Sequence, residues 1–289
     1  MALWKPSNDS TLFAWFDADS FSARDGGTAS KWANKEGTTA RDMIGGSDAT
    51  TDPQLCGSSD FLNGRAGVEF DQDSGELDIL QTSSTVADLD NQPYTVCLVV
   101  KDANQADVDY FLYFFEGSNV SSFFQGELAF GGNVYLYGQS GGFSFSPPQA
   151  YSHILTSDEK TALAAGATLT TVADGSNFTP FFNGVALDIG QDLQQDSTTN
   201  AASLVVGALQ TLGMDATLYE IVICLGTGSN ENAKRIEGYL AHRYARTLSA
   251  THEYKNHAPT ESLEISGTSG DIEGGLTQSI SSELTTVRI

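Results

Sequence analysis

Basic residues are scarce in this 289-residue chain, where 14 lysines and arginines stand against 37 aspartates and glutamates, for a net charge of -23. A surface with such an excess of negative charge repels phosphate backbones and anionic lipid headgroups. We therefore expect neither nucleic acid nor a membrane surface as a partner. Dissolved salt screens the self-repulsion of an acidic chain, so this composition suits a salty medium.

Cysteine is rare as well, with three residues in the whole chain, Cys56, Cys97 and Cys224. Cys97 and Cys224 lie inside apolar runs, where free cysteine behaves as a small buried hydrophobe. Reduced cysteines are typical of a cytosolic protein. We expect all three to be reduced and none to form a disulfide or to act as a nucleophile.

Long hydrophobic runs are missing. The N-terminus has no basic segment followed by an apolar one, and no stretch of the chain approaches eighteen continuous apolar residues. A signal peptide needs the first pattern and a membrane-spanning helix the second. The sequence predicts neither, and we expect synthesis and folding in a cytosol.

Familiar catalytic motifs are also missing. The four histidines show neither HExxH nor zinc-site spacing, and the chain has no Walker A loop and no GxSxG elbow before a helix. His242 is predicted to lie near the end of a helix. His252 and His257 flank a Tyr-Lys-Asn turn and are predicted to be surface residues.

What the chain does contain is β-type patterning. Short runs rich in Val, Ile, Tyr and Phe alternate with Gly, Asn and Ser turns, and 40% of the residues are hydrophobic, which is ample for a core. The strongest strand, residues 218–225, precedes a Gly/Ser turn and one amphipathic helix that Ser229 or Asn230 can cap. The apolar face of this helix is predicted to pack on the sheets, and it carries Ala233, Ile236, Leu240 and Tyr244.

Two runs at the end of this region, 236–244 and 252–259, look like the closing segment of concanavalin A-like (laminin-G-like) jelly-roll domains. Further pieces resemble the same family in the same order, at residues 14–18, 31–35, 67–71 and 181–185. The resemblance implies an all-β fold, an antiparallel β-sandwich of residues 1–258 with one C-terminal amphipathic helix. Residues 259–289, rich in Ser, Thr, Gly and Glu, would follow as a short extended C-terminal arm; an assembly segment and a floppy tail are both open for it.

Such closing segments occur in bacteriophage structural proteins and in bacterial surface proteins. The resemblance therefore implies a non-enzymatic structural protein of a virus particle, a phage capsid-decorating or fibre-like component, made in the host cytoplasm. It would act as a homo-oligomer among other virion structural proteins. The alternative is a carbohydrate-binding adhesion module, and the two roles can coexist if a virion sandwich contacts a host-surface glycan.

An aromatic-rich region between residues 110 and 145 supplies the candidate ligand-binding residues. Alternation along a strand would put Tyr110, Leu112 and Phe114 on one face, with Phe111, Tyr113 and Phe115 on the other. Both faces must then be covered, one by the core and the other by a loop, a neighbouring subunit or a glycan stacked on tyrosine. The four candidates for such a ligand site are Tyr110, Tyr113, Tyr135 and Tyr137.

Two weaker sites involve acidic residues. A loop supplies four oxygen-bearing side chains of the kind that calcium prefers, although their spacing matches no EF-hand: Asp102, Asn104, Asp107 and Asp109. Cofactors are otherwise not expected. A glycan hydrolase on this fold would need acidic residues that alternate along one strand, and Glu69 and Asp71 fit the start of this pattern. Residue 73, however, is aspartate where the pattern needs glutamate, and residue 74 is serine. We therefore expect no enzyme.

Overall fold

The computed structural model describes residues 2–21, 28–45, 52–71, 78–82, 93–105, 108–116, 119–130, 133–139, 150–188, 203–207, 214–226 and 228–261. Within these ranges the chain forms two eight-stranded sheets in which all recorded strand pairs are antiparallel. This confirms the predicted all-β sandwich. The predicted arm, apart from residues 259–261, lies outside the described ranges, so the proposed division at residue 258 stays a prediction.

The strands and helices follow one another in this order: β1 (Leu12–Asp17), β2 (Lys31–Trp32), β3 (Met43–Gly45), β4 (Gln54–Leu55), β5 (Val68–Phe70), β6 (Leu80–Thr82), β7 (Tyr94–Lys101), β8 (Val108–Glu116), β9 (Asn119–Phe130), β10 (Asn133–Gln139), β11 (Ala150–Ile154), α1 (Ser157–Ala165), β12 (Ala167–Ala173), β13 (Phe178–Phe182), β14 (Val185–Ala186), β15 (Ser203–Gly207), β16 (Ala216–Leu225) and α2 (Asn230–Tyr244).

Sheet I has the strand order β14-β13-β12-β7-β16-β5-β4, and β1 also pairs with β16. Sheet II has the order β11-β10-β9-β8-β15-β6-β3-β2. Both sheets mix strands that are far apart in the sequence, so neither can be completed until most of the chain is present. Buried apolar residues from facing strands fill the space between the sheets, among them Phe16, Trp32, Leu98, Phe111 and Ile221.

A second apolar cluster lies on the other face of sheet I, beneath α2. It joins Cys97 and Val222 of the sheet to Ile236, Leu240 and Tyr244 of the helix. Each of these five residues is completely buried. Sheet I is therefore buried on both faces, and this is why its central strands β7 and β16 are apolar without alternation.

Local sequence explains where the helices begin and how the hairpin turns. The Ser229 hydroxyl accepts a hydrogen bond from the Asn232 amide at the start of α2, as predicted. Thr156 and Glu159 form a reciprocal capping box at the start of α1. Asn183 and Gly184 both have positive φ angles, 49° and 75°, which the tight turn between β13 and β14 requires.

None of the helices in the described ranges is long and apolar enough to cross a lipid bilayer. All three cysteines are buried and none is paired in a disulfide.

Candidate functional site

A network of buried charges joins α2 to the strands beneath it. Glu220 of β16 accepts hydrogen bonds from the Trp15 indole N–H (2.6 Å) and from the Tyr244 hydroxyl (2.8 Å). The Arg243 Nε lies 2.9 Å from the same carboxylate. A buried carboxylate is costly unless it is paired and hydrogen-bonded, and these three partners meet that need.

Arg243 extends the network to the end of β1. Its Nη2 lies 2.6 Å from Asp17 and 3.2 Å from Asp19. Asp17 is completely buried and also binds the Lys35 ammonium at 2.7 Å, while Asp19 pairs with Arg65. One guanidinium therefore fastens the end of α2 to both β1 and β16.

A β-bulge aims Glu220 at the helix. The pairing of β16 with β7 shifts by one residue between Leu218 and Glu220, so Tyr219 is inserted. Leu218 belongs to the inter-sheet core and Tyr219 to the cluster under α2. Strict alternation would return Glu220 to the inter-sheet core, whereas the bulge keeps it on the helix side.

Burial dominates the ionisation of this network. It raises the pKa of Glu220 to about 7, against the lowering effect of Arg243 and of the hydrogen bonds from Tyr244 and Trp15. Burial also raises the pKa values of Tyr239 and Tyr244. Burial alone would lower the pKa of Arg243, but Glu220, the two tyrosines and Asp17 outweigh it and raise that pKa.

This network cannot reach a substrate, because Glu220, Asp17 and Tyr244 are completely buried. Its chemistry is that of an internal ion cluster holding α2 in place. Sequence reasoning missed this network. The signal available was Glu220 itself, a single acid inside the apolar run 218–225, since such a residue needs a buried partner.

The outer face of sheet II is a different kind of surface. Both helices pack mainly against β7 and β12 of sheet I. One row of register partners crosses all eight strands of sheet II: Ala150, Gln139, Phe124, Tyr113, Val205, Gln81, Ile44 and Lys31. Lys31 and Gln81 are exposed and Ile44 is 44% exposed, so the row faces away from the inter-sheet core; Val205, in its middle, is buried.

The backbone register brings the candidate tyrosines into neighbouring rows of sheet II. Tyr110 and Tyr137 are both paired with Gly126 of β9. Tyr135 lies two positions from Tyr137 on β10, and Tyr113 belongs to the row that contains Ile44. Residues directly opposite one another, or two apart on one strand, share a face of a sheet.

The predicted alternation along β8 is wrong at one point. The pairing with β9 shifts between Tyr110 and Leu112, which makes Phe111 the extra residue of a bulge. Phe111 and Leu112 are both completely buried in the inter-sheet core. Tyr110 and Tyr113 therefore belong to the same outer face, whereas alternation had separated them.

The candidate calcium loop is only partly described. Asp102 is completely buried, and the Asn104 amide donates a 2.6 Å hydrogen bond to Asp215. Asp107 lies outside the described residues, and Asp109 is paired with Glu127 of β9 in the backbone register. Across the ranges that the structure covers, no three His, Cys, Asp or Glu side chains come close enough together to hold a metal ion.

The acids considered for hydrolysis lie at an exposed end of sheet I. Glu69 and Asp71 are both exposed, and the Asp71 amide donates a hydrogen bond of 2.9 Å to Asp78. Burial raises the pKa of Asp78 to about 6, and burial followed by repulsion from Asp60 and Asp71 raises that of Glu69. Positions 73 and 74 lie outside the described residues.

His252 is not the surface residue that the sequence predicts. Its side chain is 1% exposed, and its Nε2 lies 3.2 Å from Glu237 of α2. The Nδ1 atom accepts a hydrogen bond from the Tyr254 amide (3.2 Å). The ring proton therefore lies on Nε2, which donates a hydrogen bond to Glu237. The segment after α2 therefore packs back over the helix.

Comparison with known proteins reveals similarity in structure alone: no protein-family model and no curated protein matches the chain. The binding domain of botulinum neurotoxin DC, solved in complex with rat synaptotagmin II, has a TM-score of 0.54 at 7% identity over 82% of this chain and 52% of that one. The receptor-binding domain of botulinum neurotoxin D has a TM-score of 0.51 at 11% identity, over 81% of this chain and 53% of that one. The binding domain of Paraclostridial Mosquitocidal Protein 1 has a TM-score of 0.50 at 10% identity, over the same shares of the two chains, 81% and 53%.

The chain spans about half the length of these solved structures. At such low identity the likeness establishes the fold, which agrees with the β-sandwich described above. The proteins named are binding domains, and none of the three is described as an enzyme or as a virion protein.

Proposed function

We propose that this chain is a non-catalytic binding domain and that its ligand is a neutral glycan held on the outer face of sheet II. The carrying observation is the difference between the two sheets. The outer face of sheet I is sealed by α2 and the cluster beneath it. The outer face of sheet II presents exposed residues along a row that crosses every strand, from Lys31 through Ile44 and Gln81.

The mixture of residue types on this face suits a sugar. Tyr110, Tyr135 and Tyr137 lie in adjacent rows, and a tyrosine ring combines a large apolar surface with one polar group. Gln81 and Lys31 add an amide and an ammonium group that can bond hydroxyls. A flat polar ligand with apolar ring faces needs both kinds of contact.

The net charge narrows the ligand class. At -23 the chain repels anionic sugars as it repels phosphates. Neutral glycans meet no such barrier. We therefore expect binding to neutral rather than sialylated or sulfated glycans.

The structural neighbours support a binding role better than the virion role implied by the sequence resemblance. Two of the proteins named above are toxin domains, one solved in complex with rat synaptotagmin II and the other described as a receptor-binding domain, and their fold is the one found here. A place in a phage particle, with other virion proteins as partners, stays a prediction from the resemblance. Assembly through the arm beyond residue 261 also stays a prediction.

A glycan array probed with the full chain tests the proposal, with one arm in calcium and one in chelator. We expect binding to neutral oligosaccharides, weakened about tenfold or more by Tyr137→Ala and by the charge-adding Ile44→Glu. Val185→Ala, at a half-exposed site on sheet I, is the control and should bind like the wild type. Loss of binding in chelator alone would show that glycan binding requires a metal ion.

Either of two results would overturn the proposal. One is the absence of binding to any glycan in both arms. The other is binding that the two variants on sheet II leave unchanged while melting temperatures show that both are folded. Selective binding to sialylated sugars would contradict the charge argument alone.

A further inference from the structure

Charged residues are almost missing from one end of sheet II. Residues 117–157 contain one, Glu127, whereas the average of 18% for the whole chain would place about seven in a stretch of this length. The stretch includes all of β9, β10 and β11. A low content of charged residues together with a high content of aromatic residues is typical of the core of a protein–protein interface.

The outermost strand of this end, β11, lacks the protection seen at the edge strands β2 and β14. β11 is paired with β10 over five positions on one side, and none of the described strands pairs with its other side. Exposed edges are commonly protected by charge, by proline or by shortness. β2 carries Lys31 and β14 has two residues, but β11 has five residues and neither charge nor proline.

An apolar row reaches this edge without interruption. Ile154 of β11 is paired with Tyr135, Tyr135 with Leu128, and Leu128 with Val108. Ile154 is 50% exposed, while the next residue, Leu155, is buried in the inter-sheet core. The row ends on a half-exposed isoleucine at the border of the sheet.

We propose that β11 pairs antiparallel with β11 of a second copy of this chain, across a twofold axis at Ser152. This register sets Ala150 opposite Ile154 and Tyr151 opposite His153, so no charged residue faces another. Pairing of an unprotected strand with its own copy satisfies the edge backbone groups and buries Ile154.

A second copy fits this edge because β11 carries no charge that would repel its own image. Two chains of -23 repel each other over most of their surfaces. Contact is least unfavourable where charge is missing, and the end of sheet II formed by β9, β10 and β11 is such a place. The two outer faces of sheet II would then form one continuous surface across the dimer.

Sedimentation equilibrium of the full chain, without glycan, tests this inference. We expect a dimer that Ile154→Lys weakens about tenfold or more, because the lysine places like charges beside the axis. Val185→Lys is the matched control, since Val185 is also 50% exposed on an edge strand, β14 of sheet I. It should leave the dimer unchanged.

A cross-link gives a second readout that does not depend on affinity. Residues that meet on a twofold axis between antiparallel strands have Cα atoms about 4.5 to 5.5 Å apart, a separation that a disulfide spans. Ser152→Cys should therefore give a covalent dimer under mild oxidation, and the wild type, whose three cysteines are buried, should not.

A wild type that stays monomeric at about 100 µM would overturn the inference. A dimer that resists Ile154→Lys and fails to cross-link through Ser152→Cys would also overturn it, because another surface would then hold the copies together. Neither result depends on glycan binding, so failure of the proposed function would be seen separately.

Discussion

Glu220 alters an otherwise apolar strand. It stands in the run 218–225 as the one acidic residue, and the bulge at Tyr219 directs it towards Arg243, Tyr244 and Trp15. Burial raises its pKa, so the folded chain binds a proton more tightly at this site than the unfolded chain does. The stability that this residue contributes must then depend on pH.

The pH dependence can be measured with Glu220→Gln. The ordinary pKa of glutamate is 4.5 and that of Glu220 in the fold is about 7. A raised pKa contributes stability that is fully present below pH 4.5 and is lost as pH rises through 7. We expect the free energy of unfolding of the wild type to fall relative to that of Glu220→Gln by up to about 3 kcal/mol across this window, measured by denaturant unfolding.

Glu36→Gln is the control for this measurement. Hydrogen bonds from Thr38 and Asn34 and the charge of Arg41 outweigh burial and lower the pKa of Glu36. Its difference from the wild type should therefore be flat above pH 5. A wild type that instead gains stability relative to Glu220→Gln as pH rises would show that Arg243, rather than burial, governs Glu220.

At the scale of elements, α2 is held from two sides. Its apolar face packs on sheet I through Ile236, Leu240 and Tyr244. Its other side is covered by the segment that follows, where a Cβ at Gly238 would lie 2.6 Å from the Cβ of Tyr254. Glycine at this position lets the two segments approach closely.

Leu240→Ala tests how much this packing contributes. Leu240 is completely buried in the cluster beneath the helix, and deletion of a buried leucine side chain removes apolar contacts and leaves a cavity. We expect the free energy of unfolding to fall by about 2 to 5 kcal/mol in urea or thermal melts. Lys234→Ala, on the exposed side of the same helix, should stay within about 0.5 kcal/mol of the wild type. Equal effects of the two substitutions would mean that α2 contributes little through its packing.

At the scale of the whole molecule, the sandwich is asymmetric. Sheet I is an interior layer between the inter-sheet core and α2. Sheet II has the core on one face and an outer face with exposed residues on the other. Sheet I and α2 thus support the domain, while sheet II carries the candidate binding surface. The chain as a whole has a net charge of -23.

The net charge predicts a response to salt. Repulsion among 37 acidic residues favours the expanded chain, and screening reduces that repulsion. We expect the melting temperature to rise by a few degrees between about 20 mM and about 0.5 M NaCl. Choline chloride is the control for the cation, because simple screening should give the same rise. A rise in NaCl that choline chloride does not reproduce would indicate a specific cation site instead.

The sequence by itself determined the fold class, the position of α2 and the residues on its apolar face. Periodicity and capping are local properties, so residues 229–244 carry them without reference to the rest of the chain. The tight turn at Asn183 and Gly184 and the burial of Cys97 and Cys224 were predictable for the same reason.

Only the tertiary structure decided the rest, because it depends on residues far apart in the chain. Bulges at Phe111 and Tyr219 change which residues share a face of the sheet. The pattern of neighbouring residues in the sequence does not predict either bulge. Asp17, Glu220 and Arg243 meet across more than 200 positions, and His252 is buried by a segment that folds back on α2. The difference between sheet I, which α2 covers, and sheet II, whose outer face carries exposed residues among those described, likewise arises only when both sheets and α2 are assembled.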